Sequence, residues 1–265
     1  MKFKQKLAEK TGLPIQILPA SYQILGHVLL LKLSSAAQRH AKVIAKTILE
    51  LFPYIQTVAL QKGISGVYRV PKIKILAGKK ETEVRHKELG CEFFLDVAKI
   101  MWSKGNHAER ARLVEIVKPN EIILDMFAGI GYWSIPIAKH KPCEIFAIEK
   151  RALAFEYLCK NIRLNRVNVI AIKGDCRKIL ENYSFPNPNR IIMGYFPGTL
   201  NFLPSALSVA KKGTVIHFHD LAKNLNELCK QVLTTAKGKV CISSARIVKE
   251  YSASKQHYVL DLVVK

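Results

Sequence analysis

No apolar run in the 265 residues approaches the roughly 20 that a membrane-spanning helix needs. The longest candidate, residues 24–33, is interrupted by His27 and Lys32. The N-terminus is basic, but no clean apolar core and cleavage site follow it, so a secretory signal is not expected. The six cysteines, Cys91, Cys143, Cys159, Cys176, Cys229 and Cys241, form no C-x-x-C pair, and no histidine cluster accompanies them at zinc spacing. They read as reduced, buried thiols of a cytoplasmic protein rather than as metal ligands or disulfides. Acidic residues are scarce: Asp and Glu number 20 against 42 Lys and Arg, for a net charge of +22. Such an excess is the footprint of a protein that binds a polyanion. With 49% hydrophobic residues, the chain is otherwise ordinary for a packed protein of one large or two modest domains.

The positive charge is not a detachable tail. Residues 1–104 and residues 105–265 each carry a net +11, as a long anionic ligand touching both would require. The first part reads as a small α/β domain. It has helices over residues 4–10 and 36–51, a strand-like stretch over 22–33, a strand over 67–76 interrupted by Pro71, and a hairpin around Gly90. From residue 105 onward strands alternate with helices: 121–126, 144–149, 169–173, 190–195, 214–218, 239–248 and 257–264. This pattern predicts a mostly parallel seven-stranded sheet covered on both faces, ending in an antiparallel hairpin that turns within 251–256.

The strongest local signal is the turn Asp125-Met126-Phe127-Ala128-Gly129-Ile130-Gly131-Tyr132-Trp133-Ser134, entered from the apolar strand Ile122-Ile123-Leu124. Glycines there let the backbone approach a ligand closely. Ser134 stands where a dinucleotide fingerprint has its third glycine, and Phe127, Tyr132 and Trp133 suit an adenosine and a sulfonium better than a pyrophosphate. Successive strands end in Asp125, Glu149 and Asp175, at the edge where open α/β sheets bind ligands. The three acids are suited to a methionine amino group, two ribose hydroxyls and an adenine amino group. Acids at strand ends also serve as helix caps, but three of them beside a glycine turn point to S-adenosylmethionine. With the terminal hairpin, the pattern resembles the class I S-adenosylmethionine-dependent transferases, which have a Rossmann-like fold.

The segments Asp96-Val97-Ala98-Lys99, Asn106-His107-Ala108-Glu109-Arg110 and residues 125–131 resemble a narrower group, the archaeal and eukaryotic tRNA guanine-37 transferases. One branch methylates N1 of guanosine 37. A sister branch, in wybutosine synthesis, transfers the 3-amino-3-carboxypropyl group of S-adenosylmethionine to carbon 7 of 4-demethylwyosine. Two departures point to the sister branch. Gly194-Tyr195-Phe196-Pro197-Gly198-Thr199 stands where the methyl branch has Asn-Pro-Pro, and Ser103-Lys104-Gly105-Asn106 stands where it has Ser-Pro-Arg. The resemblance implies a cofactor site made by Lys104, Asp125, Phe127, Gly129, Gly131, Tyr132, Glu149, Lys150, Asp175, Cys176, Tyr195 and Pro197, with no metal. It implies a cytoplasmic monomer that grips a tRNA anticodon stem-loop and no membrane. N1-methylation by the same fold, or a non-catalytic basic tRNA-binding protein, are the alternative readings.

The resemblance matches Glu109 to a glutamate acting on the target base's proton, and Arg69 to an arginine reaching toward that base. Glu109 could equally complete a capping box with Asn106, and Arg69 could be an exposed strand residue. In His217-Phe218-His219-Asp220 adjacent residues point to opposite faces of a strand, which argues for packing or substrate-edge roles rather than a compact metal cluster. The Lys72-x-Lys74, Lys79-Lys80 and Lys211-Lys212 runs read as solvated faces or phosphate contacts.

Overall fold

The structure, a computed structural model, describes residues 3–252 and 254–265. The chain divides into two compact units, one of residues 1–88 and 92–104, the other of residues 89–91 and 105–265. The second unit thus takes in residues 89–91, at the turn of the hairpin around Gly90, besides the stretch expected from residue 105 on.

In the first unit α1 (Phe3–Thr11), α2 (Ser35–Gln38) and α3 (Ala41–Leu51) accompany a four-stranded sheet. Its strands β1 (Tyr22–Leu25), β2 (Val28–Leu31), β3 (Thr57–Ser65) and β4 (Val70–Gly78) lie in that order. β2 and the first half of β3 are parallel and buried, which explains their unbroken apolar run, Val-Leu-Leu-Leu. α3 covers the sheet with Ile44, Ala45 and Ile48, at helical spacing, against Leu29, Leu31 and Val58. The strand-like stretch over 22–33 is two strands on either side of Gly26 and His27. Two expectations need correction. Residues 36–51 are two helices, parted at Arg39 and His40. Residues 67–69 belong to a turn, and β4 runs through Pro71 because it is an edge strand with a ladder on one side only. A second hairpin, β5 (Glu83–Glu88) and β6 (Cys91–Asp96), turns at Leu89 and Gly90, both at positive φ.

The second unit opens with α4 (His107–Ile116) and then alternates: β7 (Ile122–Asp125), α5 (Ser134–His140), β8 (Glu144–Glu149), α6 (Ala152–Asn165), β9 (Ile170–Lys173), α7 (Cys176–Asn182) and β10 (Arg190–Met193). It continues with α8 (Leu203–Val209), β11 (Val215–Ala222), α9 (Leu225–Ala236), β12 (Val240–Ser252) and β13 (Lys255–Val264). The seven strands order as β12-β13-β11-β10-β7-β8-β9, with parallel pairing from β11 to β9 and antiparallel pairing of β13 with both neighbours. This is the expected α/β sheet; β12 runs to Ser252 and β13 begins at Lys255, inside the expected 251–256, and residue 253 lies outside the described residues. Strand residues alternate between two cores. Ile123, Ile145 and Ile192 pack with Leu113 of α4, Ile137 of α5 and Leu158 of α6. Leu124, Ile191 and Phe218 pack with Leu180 of α7, Ala206 of α8 and Val232 of α9. Helices therefore sandwich the sheet, and the loops after β7, β8, β9 and β10 gather at one edge.

Candidate active site

β7, β8 and β9 are adjacent and parallel, so their carboxyl ends bring Asp125, Glu149 and Asp175 to one edge of the sheet. The three acids then behave differently. Glu149 is half-buried; its Oε2 accepts from the Gly129 amide at 2.8 Å and its Oε1 from the Arg151 amide at 2.6 Å. Burial raises its carboxyl above the ordinary value, against the pull of those amides. Asp175 caps α7 by accepting from the Arg177 amide, and the Arg177 guanidinium (2.9 Å) and Lys150 Nζ (3.0 Å) hold it well below the usual carboxylate range. The cap coexists here with a carboxylate that keeps only 12% of its side-chain surface exposed.

Asp125 is fully buried. Its Oδ2 accepts from Ser134 Oγ at 2.6 Å, its Oδ1 from the Phe127 amide at 3.3 Å, and burial pushes its carboxyl up to about 7. The side chain thus shapes the turn from beneath. Ser134, in the place of a third glycine, is the group that holds it there.

The turn itself requires its glycines. Gly129 and Gly131 have φ of +60° and +95°, and a Cβ on Gly131 would lie 2.4 Å from Ile135 Cδ1. Tyr132 follows, its phenol raised above the ordinary value by burial, with Arg110 acting against that rise. Cys176, at the start of α7, is a buried thiol pushed up to about 12, an inert packing group.

The residues of the loop after β10 form an aromatic wall. Tyr195 stacks on Phe127 with ring centroids 5.1 Å apart, Phe202 meets both edge-on, and the Arg177 guanidinium lies 4.8 Å from the Phe202 centroid. A Cβ on Gly194 would sit 2.4 Å from Trp133 Nε1, so the indole fills the space of any side chain at that position. Asp220, at the end of β11, accepts from the Gly198 amide at 3.2 Å and pins the loop; nothing in the local sequence marks this role. Phe196 stacks near His257, and Pro197 is exposed.

Glu109 lies in the first turn of α4 and is buried, but the capping box does not form. Asn106 makes no side-chain cap bond; its Oδ1 accepts from Lys249 Nζ at 2.8 Å instead. The Glu109 carboxylate faces Arg112, which donates from Nη2 at 2.7 Å and from Nε at 3.0 and 3.1 Å. In the first unit, Arg69 sits in the β3–β4 turn at φ +51°, not in a strand, with its guanidinium 3.6 Å from Met101 Sδ. Lys104, the last residue of that unit, is exposed. His217 and His219 share one face of β11, as alternation requires. His217 pairs with Asp261 and His219 with His257, and among the described residues no three His, Cys, Asp or Glu side chains gather as a metal site. Among the described residues no helix is long and apolar enough to cross a membrane.

Comparison with known proteins agrees with this architecture. Residues 84–242 match the TRM5/TYW2 methyltransferase domain, and residues 4–82 match the TYW2 N-terminal domain. The chain is 39% identical, over 91% of its length and 96% of the relative's, to the Methanocaldococcus jannaschii tRNA(Phe) (4-demethylwyosine(37)-C(7)) aminocarboxypropyltransferase. Its fold matches Pyrococcus horikoshii TYW2 in complex with MeSAdo at a TM-score of 0.85, with 33% identity and 99% of each chain covered. It matches M. jannaschii TYW2 in complex with AdoMet at 0.71, again at 33% identity, over 92% of this chain and all of that one. With a glycine turn, three strand-end acids and an aromatic wall at one edge of a seven-stranded sheet, and with both halves matched, the chain belongs to the TRM5/TYW2 family.

Proposed function

We propose that the protein transfers the 3-amino-3-carboxypropyl group of S-adenosylmethionine to carbon 7 of 4-demethylwyosine at position 37 of tRNA(Phe). The observation that carries this reading is the match of the first unit to the TYW2 N-terminal domain, joined to a relative of nearly equal length that bears this activity in its name. The Gly194 loop supports it. With Trp133 filling the space at position 194, no side-chain amide can project there to hold a guanine for N1-methylation.

Glu149 suits the ribose hydroxyls, since each of its oxygens keeps a lone pair beyond its amide partner. Asp175 faces the adenine amino group, with Lys150, Arg177 and the backbone at Cys176 around it. Gly129, Gly131 and Tyr132 let the chain approach closely, while Phe127, Tyr195 and Pro197 wall the adenosine and sulfonium. Asp125 supplies negative charge beneath the cationic methionine moiety, and Lys104 is assigned to its carboxylate. When bound, the sulfonium offers a γ-carbon whose bond to sulfur breaks with the electron pair left on sulfur, releasing methylthioadenosine. Glu109 accepts the proton that carbon 7 gives up as its new bond to that γ-carbon forms. Arg69 grips the target nucleotide, which must leave its stack to be reached. The remaining basic surface of both units holds the anticodon stem-loop phosphates. The six cysteines are free, although only Cys91 and Cys176 are buried as expected and Cys241 is exposed; free thiols fit a reducing cytoplasm, where the protein acts as a monomer.

The test is to incubate the protein with S-adenosylmethionine and tRNA carrying either guanosine or 4-demethylwyosine at position 37, then digest the RNA and weigh the nucleosides. An aminocarboxypropyl adduct on the tricyclic base alone is expected. A methyl adduct on guanosine would overturn the reading.

A further inference from the structure

Glu109 is the buried end of a partly buried network of charges rather than an isolated acid. Arg112 lies between it and Asp261 of β13, reaching Asp261 Oδ1 and Oδ2 at 3.3 Å. Arg246 of β12 also bridges the two carboxylates, lying 3.4 Å from Glu109 Oε1 and donating to Asp261 Oδ2. Asp261 further takes Ser244 Oγ at 2.8 Å and lies 2.6 Å from His217 Nδ1; His217 Nε2 in turn meets Arg190, which pairs with Glu121. Three guanidiniums and three carboxylates are thus balanced across α4, strands β10 to β13 and Glu121, the residue before β7.

We propose that Arg112 is a positioning residue: held by Asp261, it fixes the Glu109 carboxylate in the one orientation the transfer uses. The proposal rests on Glu109 as the proton acceptor assigned above. Stability alone explains the network poorly, because Glu109, Asp261 and Arg190 are buried and Arg112, Arg246 and Glu121 half-buried, at a desolvation cost that well-packed apolar side chains would avoid. Orientation explains it well. A glutamate side chain has three rotatable bonds, and the planar Arg112 fork, bonding both carboxylate oxygens, leaves a single arrangement. The fork is anchored from the far side by a strand 149 residues away in sequence, so the terminal hairpin takes part in the site although it bears no residue assigned to the cofactor. The same hairpin holds the start of α4 a second time, through Lys249 and Asn106.

The experiment compares Arg112→Met, Arg112→Lys, Asp261→Asn and Glu109→Gln for kcat, for KM with S-adenosylmethionine, and for melting temperature, on tRNA carrying 4-demethylwyosine. Arg112→Met should lower kcat on the order of tenfold to a hundredfold, as loss of reactant alignment does, with KM changed less than about twofold. Arg112→Lys should recover part of that loss, since it keeps the charge but not the fork. Asp261→Asn, which keeps the shape of the anchor, gives the same split should Arg112→Met fail to fold. A folded Arg112→Met or Asp261→Asn protein that turns over like the wild type, beside a slow Glu109→Gln, would overturn the positioning role. A Glu109→Gln protein as fast as the wild type would overturn the role of Glu109 itself.

Discussion

The Gly129 amide donates to Glu149 Oε2 at 2.8 Å, so the first glycine of the turn after β7 is held by the acid that ends β8. Glu149 therefore preforms the turn, and in the proposed site it has a second duty, to take the ribose hydroxyls with its remaining lone pairs. Glu149→Gln should separate them. Its amide nitrogen must face either the Gly129 or the Arg151 amide, two donors against each other, at a cost of about 1–3 kcal/mol. Calorimetric titration should show S-adenosylmethionine binding weakened by roughly 10–100-fold, at about 1.4 kcal/mol per decade. Unchanged affinity with a lowered melting temperature would leave Glu149 with the turn alone.

Asp125 gives a pH signature. Its folded-state value of about 7 lies above its ordinary one because it is buried. Between roughly pH 4 and 7 the unfolded chain has lost this proton and the folded chain has kept it. The group thus works against folding as pH rises, and its effect levels off above about 7. Melting curves should show the wild type losing stability relative to Asp125→Asn across that window. A cationic ligand favours the ionised form, so wild-type affinity for S-adenosylmethionine should rise from pH 6 to pH 8 while that of Asp125→Asn stays flat. Parallel pH profiles would contradict the assignment.

Charge should separate the two ligands. A net +22 spread over both units implies that tRNA affinity falls steeply with salt, about 10³-fold or more between 50 and 200 mM if six or more phosphates are met. Binding of S-adenosylmethionine, a small ligand, should change far less. Filter binding and calorimetry across a salt series measure the two slopes; a flat tRNA slope would remove the phosphate contacts from the account.

Much of the second unit was legible because each of its signals is local. β8 matches its predicted span, and the glycine turn and strand-end acids are read within a few residues of each other. β3 was not legible. Its first half, Thr-Val-Ala-Leu, is buried without alternation, and its second half alternates around Gln61, Lys62 and Gly63, so no single period covers it. The break of residues 36–51 at Arg39 and His40 carries no glycine or proline to announce it. The setting of Glu109 was invisible for another reason: Arg246, which reaches it, and Asp261, which anchors Arg112, come from the last hairpin, and only strand register brings them to α4. Asp220 is the same case, since its role depends on a loop 22 residues earlier.

The central claim is that the carbon attacked is the γ-carbon and not the methyl. It is tested most directly with S-adenosylmethionine labelled separately in its carboxyl carbon and its methyl group, incubated with tRNA carrying 4-demethylwyosine. The carboxyl label should enter the RNA and the methyl label should leave in methylthioadenosine. The methyl label in the RNA, with the carboxyl label released in S-adenosylhomocysteine, would contradict the account and make the protein a methyltransferase.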